Sequence, residues 1–514
     1  MGRTLKMDKR MDSAALKQCR SDLEEANFQC DEEFLRRFVA SLGTKPFVIL
    51  TGLSGSGKTK LAQLFAIWIT PAEMYSDPFI KGAQIGNSYR VMDSDRISVE
   101  FWNRNDEKVV LPRKLIAEWA DFIASDPELK DLDSKELRDK FKNDYELRQG
   151  EKFAKHAIFW DSHLKPAALA VLESEKITRQ SRRTYEVVAV GADWTSNENI
   201  LGYPDGLDLK RYVKTKTLDL ILSAIQSPDQ PHFLILDEMN LSHVERYFAD
   251  FLSAIESGEA LHLHSDVDSP EIRDGIPPRI ELPANLFVIG TVNIDETTYM
   301  FSPKVLDRAN VIEFRARSTA MSSFLKNPKS LDSTQLAAKG REFANSLLKL
   351  KGTFKLTEPE TDTMSEELMR IFHILEACGS EFGFRVAKEI STFVGIHKEL
   401  SDGDWVIRHA LDAQIIQKIL PKLHGTRNQI EPILWGLGNL CHTPRGEATE
   451  TDLVLQRCLE AVRLEDDSLD PLAKDVEGNP KYTFEEAYFP LSFGKIVRML
   501  RSVQSNGFTS FAEA

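Results

Sequence analysis

The stretch from Thr51 to Thr59 constrains the fold of this chain more than any other part of the sequence. Its pattern, Gly-x-x-x-x-Gly-Lys-Thr, follows the apolar run 47–50 and precedes a helical pattern that begins at Leu61. A glycine-rich turn between a buried strand and a helix brings backbone N–H groups and the positive end of the helix dipole to one point, where they bind phosphate oxygens. The sequence therefore predicts a nucleotide-binding loop on an α/β sheet.

The loop also supplies side chains with distinct predicted roles. Lys58 reaches the β- and γ-phosphates of a nucleoside triphosphate, and the Thr59 hydroxyl is a ligand for Mg²⁺. We therefore expect ATP together with Mg²⁺, with GTP as the alternative nucleotide. The residues predicted to bind the nucleotide are Gly52, Ser54, Gly55, Ser56, Gly57, Lys58 and Thr59.

A second apolar strand, 232–236, ends in the acidic pair Asp237 and Glu238. Downstream of a phosphate loop, this pattern predicts that Asp237 holds Mg²⁺ opposite Thr59 and that Glu238 is the general base for an attacking water. The alternative is a strand-end turn or helix cap. A single helix is predicted to follow over residues 244–257.

A third buried strand, 286–293, ends in Asn293, and a short helix from Pro303 leads to Arg308. The Asn293 amide can both donate and accept hydrogen bonds, so it suits a sensor of the γ-phosphate that orients the water held by Glu238. Its alternative role is that of a turn former. Arg308 is a candidate for stabilising charge in a neighbouring subunit's site, and its alternative is a surface pair with Asp307.

The 514 residues are too many for one hydrophobic core, so we expect several domains. In the last of them, Ser492 is predicted to cap a helix that ends at Gly507. The predicted parts are an N-terminal helical segment (1–45), a nucleotide-binding core (46–71 and 185–318), an inserted α+β module (72–184), and a helical lid with a C-terminal domain (319–514).

Composition limits the classes of function. The net charge of −14 argues against a simple nucleic-acid coat protein, although a local basic stripe is compatible with it. The five cysteines form no Cys-x-x-Cys pair, and no apolar run reaches membrane-spanning length. These features predict a cytoplasmic protein with reduced thiols and no membrane partner.

The order of phosphate loop, Asp-Glu strand, Asn strand, arginine and helical lid resembles that of AAA+ ATPases. Several strings are similar to the McrB branch, the motor subunits of modification-dependent restriction systems. They are Asp193-Trp194-Thr195, Leu201-Gly202-Tyr203, Asp237-Glu238-Met239-Asn240-Leu241, Gly290-Thr291-Val292-Asn293-Ile294-Asp295-Glu296-Thr297-Thr298, Phe301-Ser302-Pro303-Lys304-Val305-Leu306-Asp307-Arg308-Ala309-Asn310 and Glu381-Phe382-Gly383-Phe384-Arg385-Val386.

The resemblance implies a P-loop AAA+ core that assembles into a homo-oligomeric, hexameric ring with nucleotide at the subunit interfaces. Arg308 would then reach a neighbour's γ-phosphate. Arg385, at the start of a lid helix, would be a second sensor within its own chain, or else a surface helix charge. A separate McrC-like nuclease subunit would cleave DNA in antiviral defence, because this chain has no recognisable nuclease motif.

The sequence departs from the McrB pattern in three places. Glu296 stands where the GTPase signature Met-Asn-x-x-Asp has its Asp, so we favour ATP over GTP. The insertion 72–184 separates Lys58 from Asp237, and the chain leaves almost no room for an N-terminal DNA-reading domain. Alternative functions are a protein-remodelling ATPase of the MoxR or dynein-like type, and a nucleotide-gated scaffold; the presence of Glu238 argues against the scaffold.

Overall fold

The computed structural model divides the chain into two compact units, Met1–Pro71 with Thr184–Ala514, and Ala72–Arg183. The boundaries of the second unit coincide, within one residue, with those of the predicted insertion. The residues described are 9–70, 184–208, 211–264, 276–294, 301–315, 318–326, 330–350, 355–443 and 486–512, together with short segments between 84 and 170 and single positions near 328, 471–474 and 483.

A five-stranded parallel sheet forms the centre of the larger unit. With strands numbered along the chain, the spatial order is β13-β1-β12-β9-β6. The order places β12, a late strand in sequence, between the strand that precedes the phosphate loop and the strand that ends in Asp237. The five strands are β1 (Phe47–Gly52), β6 (Tyr185–Ala189), β9 (His232–Asp237), β12 (Leu286–Asn293) and β13 (Asn310–Glu313).

The three central strands are almost continuously apolar because both faces of the sheet are covered by helices. Every residue of β1 and β12 is buried, as expected for a parallel sheet between two helical layers. Helices in this part are α1 (Ser13–Glu25), α2 (Glu32–Thr44), α3 (Lys58–Ile69), α4 (Glu198–Leu201), α5 (Lys216–Gln226), α6 (Val244–Tyr247), α7 (Ala249–Ser257) and α8 (Pro303–Leu306).

Aromatic side chains join the sheet to the helices on each face. On one face, the Phe65 ring of α3 lies 5.3 Å from Phe38 of α2 and 5.9 Å from Phe233, which stacks on Phe287 at 5.3 Å. Phe47 pairs in register with Val288, so its side chain lies on the opposite face. There it packs against Phe248, 5.6 Å away.

The helix predicted over 244–257 is interrupted at Phe248, whose backbone angles of −113° and 9° are not helical. The interruption turns the Phe248 ring onto Phe251, with centroids 4.7 Å apart, and towards Phe47. Packing against the sheet therefore overrides the continuous helical pattern of the sequence.

The chain after β13 is mainly helical and covers the edge of the sheet. A π-helix, Ile415–Ile419, packs against β13. The other helices are α9 (Ser318–Lys326), α10 (Ala344–Lys349), α11 (Glu358–Glu376), α12 (Phe384–Glu399), α13 (Ile407–Gln414), α14 (Arg427–His442) and α15 (Pro490–Asn506); the 3₁₀ turns are Met239–Leu241, Ser333–Leu336, Arg341–Phe343 and Leu420–Lys422.

Short strands complete the described structure. The smaller unit contains an antiparallel sheet in the order β2-β3-β4-β5. Its strands are β2 (Gln84–Ile85), β3 (Tyr89–Ser94), β4 (Ser98–Asn103) and β5 (Lys108–Pro112); the antiparallel pairs of the larger unit are β7 (Gly202–Pro204) with β8 (Tyr212–Lys214), β10 (Leu261–His262) with β11 (Arg279–Ile280), and β14 (His424–Thr426) with β15 (Phe508–Ser510). No helix among the described residues has the length and apolar character needed to cross a membrane.

The prediction that Ser492 is the N-cap of α15 is wrong. The helix begins at Pro490, and Ser492 lies inside its first turn, completely buried. The carboxylate of Asp412 instead accepts the N–H groups of Leu491 and Ser492, both at 2.8 Å, and the Ser492 hydroxyl at 2.6 Å. A carboxylate from α13 therefore caps α15 from a distant part of the sequence.

Asp412 makes a pH-dependent contribution to stability. Burial raises its pKa to about 6, against the hydrogen bonds from Ser492 and Leu491 that lower it. The folded protein therefore holds this proton more tightly than the unfolded chain, so the stabilisation is present below about pH 4 and is lost as the pH rises through about 6. We expect wild type to gain on the order of 3 kcal/mol relative to Asp412→Asn between pH 7 and pH 4.

Urea unfolding of both proteins across this pH range measures the difference. Asp404→Asn, which alters an exposed carboxylate in the preceding turn, serves as the matched control and should run parallel to wild type. Parallel curves for wild type and Asp412→Asn would contradict the assignment.

Candidate functional site

The predicted phosphate loop lies between β1 and α3, at the carboxyl end of β1, the second strand of the sheet. Gly55 and Gly57 have φ angles of 70° and 105°, in the region that glycine favours. Gly52 has a φ of 155°, and a Cβ atom there would lie 2.3 Å from the Phe314 carbonyl oxygen. That carbonyl belongs to backbone held in place, since the Phe314 N–H donates to Thr51 O at 2.7 Å.

Gly52→Ala is therefore expected to distort the loop and to weaken nucleotide binding at least about tenfold, because a fixed backbone carbonyl occupies the space of the added methyl group. Titration with a fluorescent ATP analogue measures the change. Gly206→Ala, where the added carbon meets no atom within 4 Å, is the control; equal affinity for wild type and Gly52→Ala would show that the loop tolerates the methyl group.

Lys58 is buried within the loop at the first position of α3. Its Nζ donates to the carbonyl oxygens of Gly52 at 2.8 Å and Leu53 at 2.6 Å, and lies 3.4 Å from Ser56 Oγ. The helix N-terminus and this ammonium group thus place two sources of positive charge at one loop, which is an arrangement that binds anions.

Thr59 and Asp237 meet across the site. The Thr59 hydroxyl donates to Asp237 Oδ1 at 2.5 Å, as expected for two residues predicted to share one cation. A hydroxyl and a carboxylate are hard oxygen donors that suit Mg²⁺, which takes its remaining ligands from water and substrate phosphates. Among the described residues, no group of three or more His, Cys, Asp and Glu could form a metal site built from protein alone.

Glu238 and Asn293 also meet, at the ends of β9 and β12. Asn293 Nδ2 donates to Glu238 Oε1 at 2.9 Å. Glu238 itself has a φ of 55°, a left-handed conformation that is uncommon for a residue with a side chain. The hydrogen bond from Asn293 fixes the carboxylate of Glu238 beside the Thr59–Asp237 pair.

Thr291 is a further site residue that the sequence prediction missed. Its hydroxyl donates to Asp237 Oδ1 at 2.7 Å and accepts the Glu238 N–H at 3.1 Å. The same hydroxyl therefore orients the predicted magnesium ligand and supports the strained backbone of Glu238. The sequence signal that could have identified Thr291 is its position two residues before Asn293, because residues two apart on a strand point to the same face.

A cavity of about 210 Å³ opens beside the loop. Arg498, near the middle of α15, contributes its side chain to the lining and is a second residue that local patterns did not reveal. The other lining residues are Gly52, Leu53, Ser56, Ile294 and the segment 313–315.

A buried ion cluster holds Arg498 at the cavity. The carboxylate of Glu313 binds Arg498 Nη2 at 2.6 Å and Lys495 Nζ at 3.2 Å. Burial lowers the pKa of Lys495 to about 8 and also lowers the pKa of Arg498. The C-terminal region thereby places a guanidinium group beside the phosphate loop.

The structure does not bring Arg308 or Arg385 to this loop. Arg308 lies before β13, where its Nη2 binds Glu256 and its Nε donates to Leu252 O at 3.0 Å. Arg385 binds the same Glu256 and lies 3.2 Å from Glu389. Glu296 lies outside the described residues.

In the comparison with known families, residues 332–508 match a domain of unknown function (DUF8727). The matched segment covers about a third of the chain and contains the helical region that supplies Arg385 and Arg498. No curated protein matches the chain.

Proposed function

We propose that this chain is an ATP-hydrolysing AAA+ motor subunit of the McrB type, with a P-loop AAA+ core. The supporting observation is the joint placement of Thr59 with Asp237 and of Glu238 with Asn293, next to the loop that contains Lys58. These pairs have the donors and acceptors that triphosphate hydrolysis requires: a cation site, a general base and a polar group that orients it.

The chain's own residues have separable roles in this proposal. Lys58 and the N–H groups of the loop bind the phosphates. Thr59 and Asp237 would hold Mg²⁺, which neutralises developing charge on the phosphates when it is bound. Glu238, oriented by Asn293, takes the proton of the attacking water.

The wider proposal is a homo-oligomeric ring, taken as hexameric, which works in the cytoplasm with a McrC-like nuclease subunit on foreign DNA. It rests on the resemblance of the motif strings. A remodelling ATPase of the MoxR or dynein-like type would instead act on protein, without a nuclease partner and without stimulation by duplex DNA. Copurification and ATPase assays with and without duplex DNA separate the two.

The direct test compares hydrolysis of ATP and GTP by wild type and Lys58→Ala. We expect ATP turnover that Lys58→Ala abolishes, because no other group of the loop carries a full positive charge to the phosphates. Lys60→Ala, one residue beyond Thr59 on the exposed side of α3, is the control and should retain turnover. Hydrolysis of GTP alone would indicate a GTPase that is more similar to McrB. Hydrolysis that persists in Lys58→Ala would show that this loop does not take part in the reaction.

Arg498 is expected to contribute to nucleotide affinity because it lines the cavity beside the loop. Arg498→Ala should raise the KM for ATP several-fold, and Arg498→Lys should fall between it and wild type, since lysine keeps the charge but loses the planar fork. Steady-state kinetics measure both. Arg501→Ala, on the exposed side of the same helix, is the control, and an unchanged KM for Arg498→Ala would exclude the contact.

A further inference from the structure

Glu256 joins Arg308 and Arg385 into one surface cluster. One carboxylate oxygen of Glu256 contacts Arg308 Nη2, and the other contacts Arg385 Nη1. We propose that Arg385 acts together with Arg308 on the triphosphate bound by a neighbouring copy of this chain, and not as a sensor of its own nucleotide. This inference rests on the proposed function.

The position of Arg385 relative to β1 carries the argument. Lys45, two residues before β1, binds Glu389 at 2.6 Å and donates to Asp307 O at 2.6 Å. Glu389 lies one helical turn after Arg385, and Asp307 precedes Arg308. Both arginines are therefore anchored around Lys45, at the amino end of β1.

The phosphate loop lies at the other end of the same strand. The strand β1 has 6 residues, which span about 17–20 Å. An arginine side chain anchored at the amino end cannot cross this distance through a packed sheet. Arg385 therefore has no access to the Lys58 loop of its own chain, whereas a second copy can present its loop to this face.

The cluster has the electrostatic character of a site for a polyanion. Arg308, Arg385 and Lys45 face the two carboxylates of Glu256 and Glu389, which leaves a net positive charge. Burial, followed by the charge of Arg385, lowers the pKa of Arg308. The side chains of Arg385 and Glu256 are 43% and 35% exposed. An incoming phosphate offers more negative charge than Glu256 and the same paired geometry for the two forks.

An exposed aromatic residue supports the presence of a second chain on this face. Phe384, the residue before Arg385, is 97% exposed. A large apolar side chain in this position loses its contact with water when another subunit packs there. The occupant that the proposal requires, another copy of this chain, would cover Phe384 and receive both arginines.

The experiment uses full-length chains that carry two different affinity tags and are co-expressed. Arg385→Ala alone is expected to lose most ATP turnover, and Lys58→Ala alone to lose all of it. Complexes isolated through both tags should regain turnover, because a Lys58→Ala chain still supplies Arg385 to the intact loop of an Arg385→Ala neighbour. Arg385→Ala combined with the double variant Lys58→Ala/Arg385→Ala is the matched control and should remain inactive.

Each outcome decides the inference. Recovery in the first mixture and none in the control supports it. No recovery of ATP turnover, or failure to isolate a two-tag complex, overturns it. If the mixture of Arg308→Ala with Lys58→Ala recovers ATP turnover while the mixture of Arg385→Ala with Lys58→Ala does not, Arg385 acts within its own chain and the proposed function stands. Absence of ATP turnover in wild type overturns the proposed function itself. Arg385→Lys, with wild-type thermal unfolding, checks that the loss is not one of folding.

Discussion

Glu238→Gln is expected to retain ATP binding and to lower turnover by about 10²- to 10⁴-fold. Glutamine preserves an oxygen that can accept the 2.9 Å hydrogen bond from Asn293 Nδ2, so the geometry of the site survives. It cannot accept a proton, and the attacking water therefore loses its base. Equilibrium binding of ATP and single-turnover hydrolysis measure the two properties separately.

The matched control for this change is Glu259→Gln, which alters an exposed glutamate just beyond α7. It should have wild-type binding and turnover. Unchanged ATP turnover in Glu238→Gln would show that Glu238 is not the general base. A loss of ATP binding would show that the carboxylate stabilises the phosphate loop rather than activating the water.

Glu389→Ala is expected to cost about 3–5 kcal/mol of folding free energy, the range for breaking a buried ion pair. The Glu389 carboxylate lies 3.0 Å from the ammonium of Lys418, whose side chain is completely buried in the π-helix. Burial already lowers the pKa of Lys418 to about 7. Removing the carboxylate leaves this charge with carbonyl partners alone, those of Asp307 at 2.8 Å and Ala309 at 2.9 Å.

Urea unfolding at constant pH measures this loss. Glu366→Ala, which removes a 68% exposed glutamate 3.7 Å from Arg370, is the control and should change stability by less than about 1 kcal/mol. A Glu389→Ala protein within 1 kcal/mol of wild type would mean that Lys418 discharges without cost when its partner is lost.

The sequence allowed the central strands, and the proximity of the polar side chains at their ends, to be predicted for a physical reason. Strands buried on both faces are apolar runs, and their carboxyl ends lie at one edge, so polar residues at those ends must lie close together. The Thr59–Asp237 and Glu238–Asn293 contacts follow from that rule. This prediction did not require knowledge of the strand order, in which β12 separates β1 from β9.

The remaining features depend on contacts between distant segments, which local patterns do not encode. Arg498 lies beside the loop, where it binds Glu313 across 185 positions of sequence. The location of Arg385 depends on where α12 packs, which is against α2 and α13 with an ion pair between Lys45 and Glu389. The sequence around Thr291 does not distinguish it from any other buried threonine, because its contact with Asp237 depends on the neighbouring strand.

The position of β1 inside the sheet has a consequence for how the protein loses its capacity to bind nucleotide. β1 has a hydrogen-bonded neighbour on each side, β12 and β13, so its amide protons exchange with solvent only when the strand separates from one of these neighbours. Separation of β1 from the sheet also displaces the phosphate loop that follows it, so heating should abolish nucleotide binding at or below the temperature at which the sheet unfolds. By mass action, bound nucleotide then protects the entire sheet and not the loop alone.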